Sequence, residues 1–177
     1  MRAWPIQGLV CSKMNLELTV EDDRWQGLET LSRKAISAVL AFAEIDPEFC
    51  EVSVLGCDDA RIAELNSEFR GKPSATNVLS WPAEDLAPDL PGQVPNAPQP
   101  DFTGEIPLGD IAISFETSAR EAAEAGKAMD DHVIHLLVHG TLHLLGYDHI
   151  RDPDATLMEG IEVKILGKLG IDDPYRV

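Results

Sequence analysis

Three histidines in the last third of the sequence have the spacing of a metal site. They are His139, His143 and His149, in the frame H-x-x-x-H-x-x-G-x-x-H. Two histidines four residues apart lie one turn above each other on a helix, and Gly146 lets the chain turn back towards the third. Three protein ligands with one open coordination position are typical of a catalytic zinc site. The alternative is a group of buried histidines that are hydrogen-bonded to their neighbours.

The residue after the first of these histidines limits the chemistry. Zinc peptidases with an H-E-x-x-H motif use the glutamate at this position as the general base. Here the position is occupied by Gly140. A zincin-like metallopeptidase is therefore the second choice, behind a metal-dependent hydrolase of another substrate.

The helix that must carry the first two histidines has one polar stripe on an otherwise apolar surface. At about 100° per residue, His132, His135, His139 and His143 fall on one face, so the sequence predicts a buried helix. His135 either lines the cleft or is hydrogen-bonded in the core, and His132 is expected to be structural or exposed. Asp148 either orients a ligand imidazole or caps the turn.

A basic turn lies earlier in the chain, within the segment L-N-S-E-F-R-G-K-P-S-A-T-N-V-L-S-W-P at 65–82. Arg70 and Lys72 follow a predicted helix, where cations suit the helix dipole, and the residues alone favour a solvated helix end. Thr76 and Ser80 are candidate hydroxyls of a cleft. Ordinary strand positions are an equally good interpretation of both.

Three segments resemble the YbeY family of bacterial endoribonucleases. The first is H-G-T-L-H-L-L-G-Y-D-H at 139–149, the second is an arginine followed by T-N-V-L-S-W-P at 76–82, and the third is L-G-D-I at 108–111. Asn77 stands where the family commonly has aspartate, and Trp81 where it has phenylalanine. The resemblance extends from about Met14 to Tyr175.

This resemblance implies a metal-dependent endoribonuclease that holds one Zn²⁺ per chain on His139, His143 and His149. It implies cleavage of single-stranded RNA, maturation of the 3′ end of the small-subunit ribosomal RNA, and ribosome quality control. Arg70 is the implied catalytic residue, and a planar guanidinium suits the oxygens of a phosphodiester. No general base is evident, so water and the RNA 2′-hydroxyl are both candidate nucleophiles.

The partners implied by the resemblance are single-stranded or ribosomal RNA and the small ribosomal subunit with its associated proteins. A third possibility is a metal-binding ribosome-assembly factor with little hydrolytic activity. The net charge of −17 favours this third possibility, because RNA-binding proteins usually carry a basic surface. A local basic patch beside the metal is compatible with an acidic remainder.

The composition predicts one cytoplasmic domain. The 177 residues suffice for a single hydrophobic core, and no apolar run approaches the ~18 residues of a membrane span. Three cysteines without C-x-x-C spacing are typical of reduced thiols in a cytosolic protein. Residues 1–13 are an uncertain N-terminal tail, with Met14 as an alternative start, and 14–177 are the predicted domain.

Alternating and helical patterns predict an α/β or α+β fold. Strands are expected at 15–20, 51–56, 78–81 and 108–114. The first helix is expected from Asp22 or Asp23 to about Ala43, and the second after Asp58 or Asp59, with Phe69 facing inward. Further helices are expected at 116–125, across the histidines, and after Asp152. The Pro-rich, acidic segment 83–107 is expected to be an exposed loop that buries little. Resemblance to the family selects a mixed four-stranded sheet packed with helices, with the histidine helix at its centre and a zincin-like metal site in an open cleft.

Overall fold

A computed structural model describes residues 14–176. The predicted tail, 1–13, lies outside the described residues. The elements are β1 (Asn15–Val20), α1 (Leu28–Phe42), one turn of 3₁₀ helix (Pro47–Phe49), β2 (Cys50–Cys57), α2 (Asp59–Arg70), β3 (Val78–Pro82), β4 (Ile106–Ser114), α3 (Phe115–Glu124), α4 (Met129–Leu144) and α5 (Asp152–Lys168). No helix between 14 and 176 combines the length and the apolar character that crossing a membrane requires.

The four strands form one mixed sheet in the order β1-β2-β4-β3. β1, β2 and β4 run parallel, and β3 is antiparallel to β4 at one edge. Parallel neighbours need a crossover connection, which α1 provides between β1 and β2. The predicted mixed four-stranded sheet is confirmed.

The histidine helix α4 packs on one face of this sheet. Side chains alternate along a strand, and Ile111 and Ile113 of β4 point to the same face as α4. There they join Leu137 and Val138 of α4 in the main core, which α1 and α5 complete. The predicted central position of the histidine helix is confirmed.

The helix α2 covers part of the opposite face. Ala112, between the two isoleucines of β4, contributes to a second apolar cluster with Ile62 and Leu65 of α2 and Leu79 of β3. Phe69 of α2, which was expected to face inward, is 58% exposed, so this prediction is wrong. Phe69 lies one turn beyond Leu65, and there its ring meets that of Trp81 on the edge strand β3 at 5.4 Å.

The predicted start of the first helix at Asp22 or Asp23 is also wrong. The Asp22 side chain accepts the backbone N–H of Arg24 at 3.0 Å and pairs with its guanidinium at 2.6 Å. These contacts close a turn at the position where the N-terminus of the helix was expected. Trp25 is buried after this turn and donates its ring N–H to the Cys57 carbonyl. α1 begins only at Leu28.

The Pro-rich loop joins β3 to β4 and is mostly exposed, but several contacts fix it to the body of the protein. Leu86 is only 4% exposed. The backbone N–H of Gly92 donates to Asp154 of α5 at 2.8 Å. The guanidinium of Arg151 donates to the carbonyls of Pro88 and Asp89 at 3.2 and 3.3 Å. The loop therefore lies along the start of α5, next to the end of the histidine helix.

Candidate metal centre and active site

His139 and His143 face each other on α4. They are one helical turn apart, their ring centroids are 4.5 Å apart, and their Nε2 atoms are 3.0 Å apart. Both side chains are half-buried at the edge of a core that occupies the rest of the helix surface. The predicted i, i+4 pair thus points two ring nitrogens at one small volume.

Gly146 brings His149 to the same place. After α4 the chain reverses at Gly146, whose φ of 99° is accessible to glycine and strained for other residues. A Cβ at this position would lie 2.7 Å from the Leu86 carbonyl carbon. The His149 ring then lies 5.3 Å from that of His139 and 5.0 Å from that of His143. One ligand nitrogen from each of the three imidazoles lies within 4.8 Å of the others.

The turn also fixes the tautomer of His143. Its Nδ1 lies 2.9 Å from the backbone oxygen of Tyr147, which can only accept a hydrogen bond. The proton of the neutral ring is therefore on Nδ1, and the lone pair of Nε2 faces the other histidines. Burial, together with the neighbouring His139 and His149, lowers the pKa of His143 to about 4. His143 is neutral at pH 7, as a metal ligand must be.

His139 is oriented by Glu162 of α5, a residue that the sequence analysis missed. The Glu162 carboxylate is fully buried and lies 2.5 Å from Nδ1 of His139. Burial by itself would raise the pKa of Glu162, but hydrogen bonds from His135 and His139 outweigh it and hold the pKa at about 2. Metal-bound histidines usually donate their second N–H to such a carboxylate or to a carbonyl, so the donor set fits a metal ion.

A signal for Glu162 is present in the sequence. Met158, Ile161 and Ile165 form the apolar stripe of α5, and Glu162, like Asp154, is an acidic residue among the buried positions of this helix. A carboxylate on a buried helix face needs partners of its own, since an unpaired buried charge is costly. The partner, however, lies on α4, and single-helix periodicity does not identify it.

Arg70 lines the same cavity as the three histidines. It is the last residue of α2, is exposed, and precedes Gly71, which ends the helix with a φ of 68°. It lines a cavity of about 390 Å³. The other lining residues are Thr76, Asn77, Val78, Ser80, His139, His143 and His149. Among the described carboxylates, none forms a salt bridge with Arg70, so the guanidinium is available to an anion.

The structure separates the other candidate residues into two groups. Thr76 and Ser80 lie in the cavity with the histidines. His135 does not line this cavity, because its Nε2 contacts Glu162 at 3.2 Å in the interior. Asp148 accepts the backbone N–H of His149 at 2.7 Å, which is a turn-capping contact. His132 does not line this cavity either, and its Nε2 contacts Glu121 at 3.1 Å.

Charged side chains of both signs line the surroundings of the site. A neighbouring cavity of about 530 Å³ shares Arg70, Ser80, His143 and His149 with the first. It adds Lys72, which extends the basic turn, and the acidic residues Glu84, Asp85 and Asp148. Of the residues that line these two cavities, Arg70 and Lys72 are the cationic side chains available to a polyanion.

The chain is similar in sequence to proteins of one family along most of its length. A family model described as endoribonuclease YbeY matches residues 15–170. A protein named endoribonuclease YbeY from Ruegeria pomeroyi is 69% identical over 162 residues, which cover 92% of this chain and 98% of that protein. One of the same name from Jannaschia sp. is 50% identical over 92% of this chain and 100% of its own length.

The fold is similar to a solved structure. The solution structure of TM1509 from Thermotoga maritima matches with a TM-score of 0.52 over 92% of this chain and 99% of that one. At 20% sequence identity this likeness supports the fold alone. The family model and the relatives, by contrast, match the sequence itself, across all the elements that build the histidine cluster. The chain belongs to the endoribonuclease YbeY family.

Proposed function

We propose that the protein is a zinc-dependent endoribonuclease that cleaves single-stranded RNA. The observation that carries the proposal is the cavity itself, which is lined by Arg70 and by three imidazoles with one nitrogen each within 4.8 Å of the others. The names of the relatives are consistent with RNA as the substrate. Three imidazole ligands with an open position favour zinc, one ion per chain.

Six of the eight residues that line the cavity have a chemical task in this proposal. His139, His143 and His149 hold the ion through their free ring nitrogens. When bound, a zinc ion would supply a Lewis acid for a phosphoryl oxygen or would lower the pKa of water to ~7. Arg70 binds two oxygens of the scissile phosphate and stabilises the negative charge that develops there. Ser80 and Thr76 supply hydroxyls that hydrogen-bond the substrate.

The nucleophile can be distinguished by the products. Glu162 is unsuited as a general base, because its carboxylate is buried and occupied by His139, His135 and Tyr175. Attack by the RNA 2′-hydroxyl leaves a 2′,3′-cyclic phosphate and is abolished by 2′-deoxy substitution at the cleaved nucleotide. Attack by water leaves a linear phosphate and tolerates that substitution. End-group analysis of one cleaved oligonucleotide separates the two routes.

The metallopeptidase alternative is disfavoured by the surroundings of Gly140. A Cβ at this position would lie 3.5 Å from the side chains of Ile111 and Val78. A side chain there is directed at the sheet rather than at the imidazoles. The position that holds the proteolytic base in zincins therefore faces an apolar surface in this protein.

The proposed setting is ribosomal RNA maturation at the 3′ end of the small-subunit RNA, and ribosome quality control, in the cytoplasm. The family membership supports this setting, as do Cys50 and Cys57, which are both buried and free. The proposed partners are single-stranded ribosomal RNA and the small subunit with its associated proteins. A ribosome-assembly factor with little hydrolytic activity is the second candidate, favoured by the net charge of −17.

The test compares a labelled single-stranded RNA with the same RNA annealed to its complement. Cleavage of the single strand that is lost with a chelator and restored by zinc supports the proposal. Absence of cleavage in zinc-loaded protein contradicts the enzymatic function. If metal-free or His143→Ala protein then still binds the small ribosomal subunit, the assembly-factor function is the better one.

A further inference from the structure

We propose that Glu162 is a positioning residue for the metal site, and that His135 and Tyr175 hold it in place. The inference rests on the proposed metal site, and it concerns how one of the three ligands is kept in its binding geometry. Neither His135 nor Tyr175 contributes a nitrogen or oxygen to the three-histidine cluster. They would affect the ion only through the Glu162 carboxylate, which they contact and which in turn contacts His139.

The contact between Glu162 and His139 fixes the proton of the ligand ring. Glu162 lies on α5 and is fully buried, and one carboxylate oxygen is 2.5 Å from Nδ1 of His139. An ionised carboxylate only accepts hydrogen bonds, so Nδ1 carries the proton. Nε2 of His139 is then left with a free lone pair, and it faces Nε2 of His143 at 3.0 Å.

The second carboxylate oxygen is held from two sides. His135 lies 3.2 Å away through its Nε2, and the Tyr175 hydroxyl donates to the same oxygen. The Tyr175 and His135 rings meet edge to face, with centroids 5.9 Å apart. Three donors therefore compensate one buried charge, and rotation of the carboxylate away from His139 would break all of these hydrogen bonds.

The three ligands differ in what orients them. The acceptor for His143 is the Tyr147 carbonyl, within the turn that follows the same helix. His149 is exposed on the surface. His139 instead depends on a side chain from α5 and, through it, on Tyr175 in the segment after α5. Metal binding is thereby coupled to the packing of α5 against α4.

The expected effect is a loss of metal affinity without loss of the ligands. Removing an orienting partner of a metal ligand typically lowers affinity ~10–100-fold. Glu162→Gln replaces an acceptor that serves three donors with an amide that has one acceptor oxygen, so its loss should fall in this range. Tyr175→Phe removes one donor and leaves the carboxylate in place, so its loss should be smaller, about 3–10-fold on the same scale.

The experiment measures zinc affinity by competition with a chromophoric chelator for the full-length protein and three variants. The variants are Glu162→Gln, Tyr175→Phe and the control Glu159→Gln, which removes a carboxylate from the exposed side of the same helix. Cobalt-loaded samples report the ligand geometry through their visible absorption bands. We expect weaker zinc binding and altered cobalt bands for the first two variants, and wild-type behaviour for the control.

The outcomes separate this inference from the function on which it rests. Wild-type protein that binds no zinc contradicts the metal site itself. Wild-type protein that binds zinc, with unchanged affinity and cobalt bands in Glu162→Gln, overturns the positioning role and leaves the proposed function intact. If Glu162→Gln does not fold, Tyr175→Phe decides, because unchanged affinity and unchanged bands in that variant also overturn the role.

Discussion

Nδ1 of His143 lies 2.9 Å from the backbone oxygen of Tyr147, so the turn that ends α4 orients an imidazole of the helix it follows. The same turn contains Gly146 and leads to His149. The position of one proposed ligand and the tautomer of another therefore depend on one chain reversal. Changes to this reversal should affect stability and metal binding together.

Gly146→Ala is expected to destabilise the protein and weaken zinc binding. The added methyl group would lie 2.7 Å from the Leu86 carbonyl carbon, on a residue with φ of 99°. A strained backbone of this kind costs ~1–3 kcal/mol, and relaxing it would displace His149. Urea unfolding and zinc titration measure the two effects.

The matched control is Gly160→Ala on α5, where a Cβ would meet nothing within 4 Å. Alanine in a helix interior is favoured over glycine by ~0.5–1 kcal/mol, so this variant should be neutral or more stable. If both alanine variants were as stable as the wild type, a side chain at position 146 would not strain the turn.

Alanine at His139, His143 or His149 should remove the bound metal, because each variant leaves two ligands at an open site. Elemental analysis of purified protein is expected to fall from one zinc per chain to a small fraction in all three. His132→Ala is the control, since its imidazole contacts Glu121 outside the cluster and should leave the metal content unchanged. A variant of the three that keeps a full complement of zinc would remove that histidine from the ligand set.

Arg70→Lys and Arg70→Ala should both impair RNA cleavage while zinc content and stability stay near wild type. Lysine keeps the charge but cannot form the planar two-point contact with a phosphate. Loss of one transition-state contact of this kind typically costs ~100-fold or more in rate. Arg70 is exposed and caps no buried group, so the free energy of unfolding should change by less than ~0.5 kcal/mol.

Arg33→Lys on α1 is the control for this charge-conserving change, because Arg33 pairs with Glu29 away from the cavity. Wild-type cleavage by both Arg70 variants would exclude Arg70 from catalysis. Lost cleavage together with lost folded protein would assign it a structural role.

The contact between Asp154 and the Pro-rich loop should depend on pH. The N–H of Gly92, together with Arg151, holds the pKa of Asp154 below its ordinary value of 3.8. A carboxyl with a lowered folded-state pKa stabilises the fold above its unfolded-state pKa, and the contribution disappears as the pH falls through the folded-state value. Asp154→Asn should therefore be less stable than wild type at pH 7, and the difference should shrink below about pH 4.

Urea unfolding of both proteins between pH 7 and pH 3 measures this difference. Hydrogen exchange of the peptide that contains Gly92 reports the same contact locally and should be faster in Asp154→Asn at pH 7. A stability difference that is constant from pH 7 to pH 3 would mean that the substitution acts through the packing of the side chain and not through the loss of its charge.

The sequence predicts the parts of this structure that depend on local patterns. The histidine cluster was predictable because it depends on helical spacing and on one glycine turn, which are both visible in neighbouring residues. The strands were predictable from the local alternation of polar and apolar residues. The start of α1 was mispredicted because an aspartate before an apolar stripe can close a turn as well as cap a helix. Asp22 does the former.

The sequence does not reveal the contacts between distant elements. Glu162 is 23 positions from His139 along the chain, and its partner is determined by how α5 packs on α4. Phe69 was expected to face inward on the assumption that the apolar face of α2 is covered along its whole length. Whether its last turn is covered depends on how the helix packs on the sheet. Tertiary packing determines both, and periodicity within one element carries no information about it.

The three imidazoles occupy one short stretch, 139–149, and this has a consequence for the order of folding. Contacts between neighbours in sequence form early, so a chain that has built little beyond α4 and its turn already presents the cluster. Zinc can then be captured by partly folded chains, and binding to such states reduces the stabilisation that a ligand confers. Saturating zinc should raise the melting temperature by less than its affinity for the native protein implies. The rest of the stabilisation by zinc is acquired only when α5 packs on α4 and Glu162 contacts His139.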